Sequence, residues 1–208
     1  AIVRDISDYS TGDVIVTDEF DFIDKSDQSL IRWFERIPDV KAVAPRLSTT
    51  SEMNMTKNGK LIEETRISLV GVDPFNDVRA STAHETISEG SYVFSRNSIV
   101  LGSNIARDLG GAQVGDSVKV LVVDRWGQDQ IRRFMVTGIA SSPGGSGFDY
   151  SGVIHIDTLR DMMSRHGDTG SFMVKLYDHS AATEVKEFFL RSFPNDDFIA
   201  ETTEEASE

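Results

Sequence analysis

The 208-residue sequence contains no cysteine, which excludes a disulfide framework and a thiolate metal site. It also lacks long apolar runs. Val118–Val123 has the length of a strand and falls far short of the roughly 18 residues that a membrane-spanning helix needs. Basic residues number 21 against 34 acidic ones, for a formal net charge of −13. Because nucleic-acid binding needs clustered Lys and Arg, and Arg132-Arg133 is the only adjacent basic pair, we expect no nucleic-acid partner.

The overall amino-acid composition is otherwise that of an ordinary folded protein. Hydrophobic residues make up 39% of the chain, which is enough for one domain or for two small ones with cores of their own. The sequence starts at Ala1 without Met and ends in the acidic run Glu204-Glu205-Ala206-Ser207-Glu208. We therefore expect it to be a segment of a longer protein.

The most regular stretch runs from residue 98 to residue 120. It predicts a short strand, a helix of one to two turns, a Gly-rich exit and a tight Gly115-Asp116 turn into a second strand. No catalytic motif falls in this stretch, although nearly every position follows a pattern. That combination indicates a module whose work is mechanical or adhesive.

Two segments share one pattern: an apolar strand, an amphipathic helix ended by proline, an acidic turn and another strand. In the first segment the strand is Gly12–Thr17, the helix is capped by Ser26 and it ends at Pro38. In the second segment the strand is Phe172–Tyr177, the helix is capped by Ser180 and it ends at Pro194. Together they predict a four-stranded sheet backed by two helices, the ferredoxin-like or porter-like arrangement of an α+β fold. Unrelated βαβ units give a similar pattern, so that alternative stays open.

Between these segments the sequence is mostly β in character. A hairpin is predicted over residues 51–72, followed by a polar, irregular stretch from Asp73 to Ser98. Strands at Val118–Val123 and Arg133–Ile139 flank a turn, and a short helix capped by Asp157 comes later. These patterns predict two subdomains: a porter-like α+β part of residues 1–72 and 141–208, and an inserted β-rich part of residues 73–140.

The return from the inserted part is Ser141-Ser142-Pro143-Gly144-Gly145-Ser146-Gly147. It is not a phosphate-binding loop, because the Gly-Lys-Ser/Thr ending is missing and no helix follows whose N-terminus would meet an anion. The composition predicts a flexible hinge at Ser141, Gly144, Gly145 and Gly147. Phe148 and Tyr150 are expected to be exposed beside it, as contacts for a partner.

No catalytic or metal-binding constellation is found in the sequence. The acidic residues between Asp18 and Asp27 lack the central glycine and closing glutamate of an EF-hand loop, and predict a solvated loop that leads into a helix. None of the four histidines stands four residues from another, and Gly145-Ser146-Gly147 lacks the flanking strand and helix of a nucleophile elbow. We predict a non-enzymatic chain with no metal site and no cofactor of its own.

Five short motifs follow one another in the order of a known family, and together they resemble the MacB-like periplasmic core domain. These motifs are Gly12-Asp13-Val14-Ile15-Val16, Ile37-Pro38-Asp39-Val40, Val70-Gly71-Val72-Asp73-Pro74, Leu101-Gly102 with Ala106, Leu109-Gly110 and Gly115-Asp116, and Phe134-Met135-Val136-Thr137-Gly138-Ile139. The resemblance covers nearly the whole chain. It implies the extracytoplasmic domain of an ABC transporter permease of the macrolide-exporter, lipoprotein-releasing (LolC/LolE) or FtsX-like kind.

The resemblance implies a function without catalysis in this chain. ATP is bound by a separate cytoplasmic ATPase subunit, and its hydrolysis is transmitted through membrane helices to the outer domain, which acts on a protein, lipoprotein or drug partner. The domain is expected at the cell membrane, on the extracellular or periplasmic side. The isolated domain is expected to be a monomer and the full permease a dimer. The alternative is a stand-alone extracellular module that binds or senses a ligand.

Overall fold

The computed structural model describes residues 12–23, 27–57, 60–142 and 147–207. In chain order, the strands and α-helices are β1 (Val14–Asp18), α1 (Asp27–Phe34), β2 (Val40–Lys57), β3 (Lys60–Val72), α2 (Pro74–Ala80), β4 (Ile87–Gly90), β5 (Ser98–Gly102), α3 (Ser103–Asp108), β6 (Ser117–Val123), β7 (Asp129–Ala140), β8 (Ser151–His155), α4 (Ile156–Met163), β9 (Ser171–Leu176), α5 (Ala182–Ser192) and β10 (Phe198–Thr202). The α+β fold class is confirmed.

The chain divides into two compact units. The first unit consists of three segments of the chain: the residues up to Arg46, Phe75–Ala83, and the residues from Gly167 onward. The second unit comprises Leu47–Pro74 and His84–His166.

The first unit has the predicted ferredoxin-like arrangement. Its strands pair antiparallel in the order β10-β1-β9-β2, and α1 and α5 connect β1 to β2 and β9 to β10. The two helices bury apolar faces in one cluster, in which Phe34 and Phe189 stack with ring centroids 5.0 Å apart. Both rings are fully buried, and burial of a side chain of this size contributes about 1.5–3 kcal/mol to folding.

The second unit is built on a closed ring of strand pairings. The order is β2-β3-β8-β5-β7-β6, and β6 returns to pair with β2. Side chains alternate between the two sides of each strand. In β6, Val118 and Val120 are buried whereas Lys119 between them is not, and Phe134 is buried in the neighbouring β7. This mostly β character agrees with the prediction for the inserted part.

The boundaries of the units differ from the predicted ones. The sequence predicts residues 1–72 and 141–208 for the α+β part and residues 73–140 for the inserted part. The hairpin of β2 and β3 belongs to the ring of the second unit, because β2 pairs with β6 and β3 pairs in parallel with β8. Residues 147–166 also stay in the second unit, since β8 pairs with β5 as well. Helix α2 returns to the first unit, where Ala80 packs with Ala42, Ala44 and Met173.

Several local predictions need correction. The stretch from Asp73 to Ser98 is not irregular throughout, because it contains α2, a 3-10 helix over Ala83–Thr86 and β4. Helix α4 is capped by the ring of His155, which accepts a hydrogen bond from the backbone N–H of Asp157, so Asp157 is not the cap. Asp178, rather than Ser180, caps the turn before α5. The predicted cap Ser26 lies outside the described residues.

Candidate functional site

The predicted hinge falls inside the second unit. The backbone N–H of Ser141 donates to the carbonyl of Thr86 at 2.8 Å, and that of Ser142 donates to Asp149 Oδ1 at 3.1 Å. Gly147 begins a 3-10 turn that ends at Tyr150. Gly144 and Gly145 lie outside the described residues, so the hinge stays a prediction.

Phe148 is not the exposed contact that the sequence predicts. It is buried, with 6% of its surface exposed, and the backbone of its 3-10 turn lies against Gly102 at the start of α3. A Cβ at Gly102 would overlap the carbonyl oxygens of Phe148 and Asp149. Glycine at this position of the regular stretch is therefore required by close approach of two backbones. Tyr150 is exposed as predicted, with 60% of its surface accessible.

The structure presents a second surface that the sequence did not reveal, on the outer side of the β6–β7 ribbon. Cross-strand partners on this side are Lys119 opposite Arg133 and Leu121 opposite Ile131. We call it the ribbon face; it consists of Lys119, Leu121, Val123, Ile131, Arg133 and Met135. Ile131, Met135 and Val123 are exposed by 66%, 58% and 54%. The face is thus apolar and basic in a chain that is acidic as a whole.

The two cations of the ribbon face have no acidic partner among the residues that the structure describes. Lys119 and Arg133 stand directly opposite each other, an arrangement in which like charges repel. In the described part of the chain, no carboxylate forms an ion pair with either of them. The neighbouring acid on β2, Glu52, pairs with Arg66 at 3.1 Å instead. The face therefore offers uncompensated positive charge beside exposed apolar side chains.

A well-ordered turn closes the ribbon next to this face. Asp124 Oδ1 accepts hydrogen bonds from the backbone N–H groups of Trp126 and Gln128, both at 2.9 Å. The Gln128 hydrogen bond is the main cause that holds the pKa of Asp124 below its ordinary value, with smaller contributions from Trp126, Gln130 and Ser164. Trp126 itself is 70% exposed, and the Arg125 guanidinium lies 5.0 Å from its ring centroid.

Two features are missing from the part of the chain that the structure describes. Among residues 12–23, 27–57, 60–142 and 147–207, no group of three or more His, Asp or Glu side chains is arranged to hold a metal ion. In the same part of the chain, no helix combines the length and the apolarity that crossing a membrane requires. The surfaces that stand out are suited to contact with a macromolecule.

Two solved structures share this fold over almost the whole chain. The periplasmic region of MacB from Actinobacillus actinomycetemcomitans is 14% identical with a TM-score of 0.62, and the match covers 99% of this chain and 95% of that one. The extracellular domain of the noncanonic ABC-type transporter YknZ from Gram-positive bacteria is 12% identical with a TM-score of 0.59, over 93% of this chain and 100% of that one.

No curated protein matches the sequence. The sequence profile of one family, described as the MacB-like periplasmic core domain, matches residues 1–188, which is most of the chain. The match covers the whole second unit and the first unit as far as residue 188, within α5. The chain therefore belongs to the MacB-like periplasmic core domain family, whose domains form the extracytoplasmic part of ABC transporter permeases.

Proposed function

We propose that this chain is the non-catalytic extracytoplasmic domain of a permease subunit and couples ATP-driven movement of membrane helices to a protein or lipoprotein partner outside the membrane. The observation that carries the proposal is the family match over residues 1–188. ATP is bound by a separate cytoplasmic subunit, which acts on this domain through the membrane part of the permease. The full permease is a dimer that brings two such domains together.

The ribbon face is the surface on which we propose that the partner binds. Exposed apolar side chains supply buried area on contact, and the unpaired Lys119 and Arg133 favour a partner with an acidic surface. Docking on anionic lipid is less well supported, because the net charge of −13 repels such a surface. We propose that Tyr150 also contacts a partner, since it is exposed.

The hinge at Ser141, Gly144, Gly145 and Gly147 is proposed to give the domain local freedom during this coupling. The chain is held before the glycine segment by the backbone hydrogen bonds that Ser141 and Ser142 donate to Thr86 and Asp149, and after it by the 3-10 turn over Gly147–Tyr150. A glycine-rich segment between two fixed ends can change conformation without disturbing the strands that it connects.

The absence of cysteine from these 208 residues makes the location testable, once any cysteine elsewhere in the full-length protein has been replaced. In the full-length protein in intact cells, Cys substituted for the exposed Glu184 should react with a membrane-impermeant maleimide. Cys substituted for the buried Val14 is the matched control and should not react. If Glu184→Cys reacts only after the cells are lysed, the domain is not outside the membrane and the proposal is wrong.

Coupling is tested with spin labels on the full permease and its ATPase in lipid nanodiscs. One labelled pair, Glu184→Cys with Asp129→Cys, has a label in each unit, and a control pair, Glu184→Cys with Lys41→Cys, lies within the first unit. We expect the distance distribution of the first pair to change when ATP hydrolysis is trapped, and that of the control pair to stay the same. Unchanged distributions for both pairs in a complex that hydrolyses ATP contradict the proposed coupling.

A further inference from the structure

An aromatic groove opens between α1 and α5 of the first unit. Trp33 and Phe188 stack with ring centroids 5.5 Å apart and an interplanar angle of 21°, and Phe188 keeps 47% of its surface exposed. The groove has a volume of about 300 Å³. We call it the α1–α5 groove; it is lined by Trp33, Arg36, Ile37, Pro38 and Phe188. The Trp33 ring is also in contact with the buried rings of Phe34 and Phe189 and with the half-buried ring of Phe193, which hold it in place.

Arg36 is the one charged residue of this lining. It is exposed, and in the described part of the chain no carboxylate forms an ion pair with it. Two other arginines of the same unit do form ion pairs, Arg79 with Glu35 and Arg191 with Glu187. An aromatic platform beside an unpaired guanidinium fits an apolar ring that carries a carboxylate close by.

The chain itself displays such a group. Residues Asp18–Asp21, the Phe20 turn, present a Phe20 side chain that is 70% exposed and flanked by Glu19 and Asp21. Asp18 Oδ1 accepts a hydrogen bond from the Phe20 N–H at 2.9 Å, and the Glu19 N–H donates to the carbonyl of Asp197 at 2.9 Å. The turn is therefore ordered before it binds anything, which lowers the entropy cost of binding.

We propose that the α1–α5 groove of one copy binds the Phe20 turn of a second copy. The Phe20 ring lies against Trp33 and Phe188, and the carboxylate of Glu19 pairs with the Arg36 guanidinium. Charge complementarity favours this occupant, because the turn is acidic and the one charged residue that lines the groove is Arg36. This contact between copies goes beyond the proposed function and can be tested on the isolated domain.

The contact is weak in the isolated domain. Two copies that each carry −13 repel at long range, so the attraction has to come from the local pairing of Arg36 with the turn. At low micromolar concentration the domain is a monomer. At about 1 mM, the effective concentration that a short tether between two binding partners supplies, a measurable fraction associates.

The test follows the amide resonances of the isotope-labelled domain from micromolar to about 1 mM concentration, together with sedimentation velocity. We expect concentration-dependent shifts at Trp33, Arg36, Glu19 and Phe20, and a rise in mean mass. Arg36→Glu places like charges together, which costs several kcal/mol, and should weaken association by at least about tenfold. Phe20→Ser should abolish it.

A charge swap and a matched control make the test specific. The double variant Arg36→Glu with Glu19→Arg restores the ion pair with reversed signs and should recover association. Arg107→Glu changes the net charge equally at an exposed position of the second unit and should leave association unchanged. Equal weakening by Arg36→Glu and Arg107→Glu would overturn the proposal.

A different occupant is distinguished by its own result. If the domain stays monomeric at about 1 mM, whereas a synthetic peptide of residues 16–23 shifts the Trp33 resonances, the groove binds an acidic aromatic segment of another protein. The proposal of a second copy is then wrong. It is also wrong if association occurs but the shifted residues lie outside both the α1–α5 groove and the Phe20 turn.

Discussion

The Arg46 guanidinium and the Asp77 carboxylate form an almost completely buried ion pair that fixes α2 to the sheet of the first unit. Arg46 Nε and Nη2 both donate to Asp77 Oδ1, at 3.1 and 2.8 Å. The other oxygen of Asp77 accepts a hydrogen bond from the Ser81 hydroxyl at 3.1 Å. The side chains are 9% and 0% exposed, so both charges depend on each other and on these hydrogen bonds.

Loss of one partner of this pair should destabilise the domain severely. We expect Asp77→Ala to lower the free energy of unfolding by about 3–5 kcal/mol, because it removes the carboxylate that accepts two hydrogen bonds from the buried Arg46 guanidinium. The matched control is Glu52→Ala, which breaks the exposed pair with Arg66 and should cost less than about 1 kcal/mol. Urea denaturation of the purified domain measures both. Similar small losses for the two variants would contradict the structure around Asp77.

A methyl group at Gly102 should disturb the packing of the turn over Gly147–Tyr150. Gly102 has an ordinary φ of −63°, so Ala would be tolerated there if space allowed. An alanine forced into the left-handed region costs roughly 1–2 kcal/mol. We expect Gly102→Ala to lower the free energy of unfolding by more than that, because the new Cβ overlaps the backbone of Phe148 and Asp149. Gly111→Ala is the control, with φ of +81° and open space around the Cβ. Thermal unfolding compares the two.

The ferredoxin-like unit was predictable because its information is local. Each half repeats an apolar strand, a helix with a buried face and a proline stop, and the order β10-β1-β9-β2 follows from pairing the two halves. The closed ring of the second unit depends on pairing between β6 and β2, about 65 residues apart in sequence. No local pattern reports that contact. The boundary between the units was consequently placed at other residues.

The candidate surfaces show the same limit. Phe148 follows a glycine-rich loop in the sequence, which predicts exposure, but its side chain is buried and its turn lies against Gly102, about 45 residues earlier in the chain. The ribbon face has a weak sequence signal: Lys119 alternates with the buried Val118 and Val120, and Ile131 and Arg133 are its neighbours across the hairpin. That alternation tells which side is outward. The alternation does not predict that Lys119 and Arg133 lie opposite each other on the ribbon face without an acidic partner among the described residues.

Acid should weaken the β6–β7 turn through Asp124. The folded protein holds the pKa of this carboxyl below its ordinary value, so ionised Asp124 stabilises the fold above that ordinary value of about 3.9, and the contribution is lost as the pH falls through the lowered pKa. We expect Asp124→Asn to be less stable than the unsubstituted domain at neutral pH, and the difference to vanish in acid. Amide resonances of Trp126 and Gln128, followed during acid titration, report it. A pH-independent difference contradicts this cause.

Hydrogen exchange tests the predicted hinge at Ser141–Gly147. Amides from Gly144 to Gly147 should exchange much faster than those of Val118–Val123, which lie in a strand paired on both sides. The amides of Ser141 and Ser142, which donate to Thr86 and Asp149, provide an internal control of intermediate protection. Exchange in the glycine segment as slow as in β6 would contradict the hinge.

A single charge reversal on the ribbon face should separate stability from partner binding. Lys119→Glu replaces a repulsive cross-strand pair with an attractive one opposite Arg133, so we expect the free energy of unfolding to rise by about 0.2–1 kcal/mol. Lys119→Gln, which only removes the repulsion, should give a smaller gain. In the full permease, Lys119→Glu should reduce transport because an acidic partner then meets a negative charge. Destabilisation by Lys119→Glu would contradict the observed register, and unchanged transport would exclude this face as the partner site.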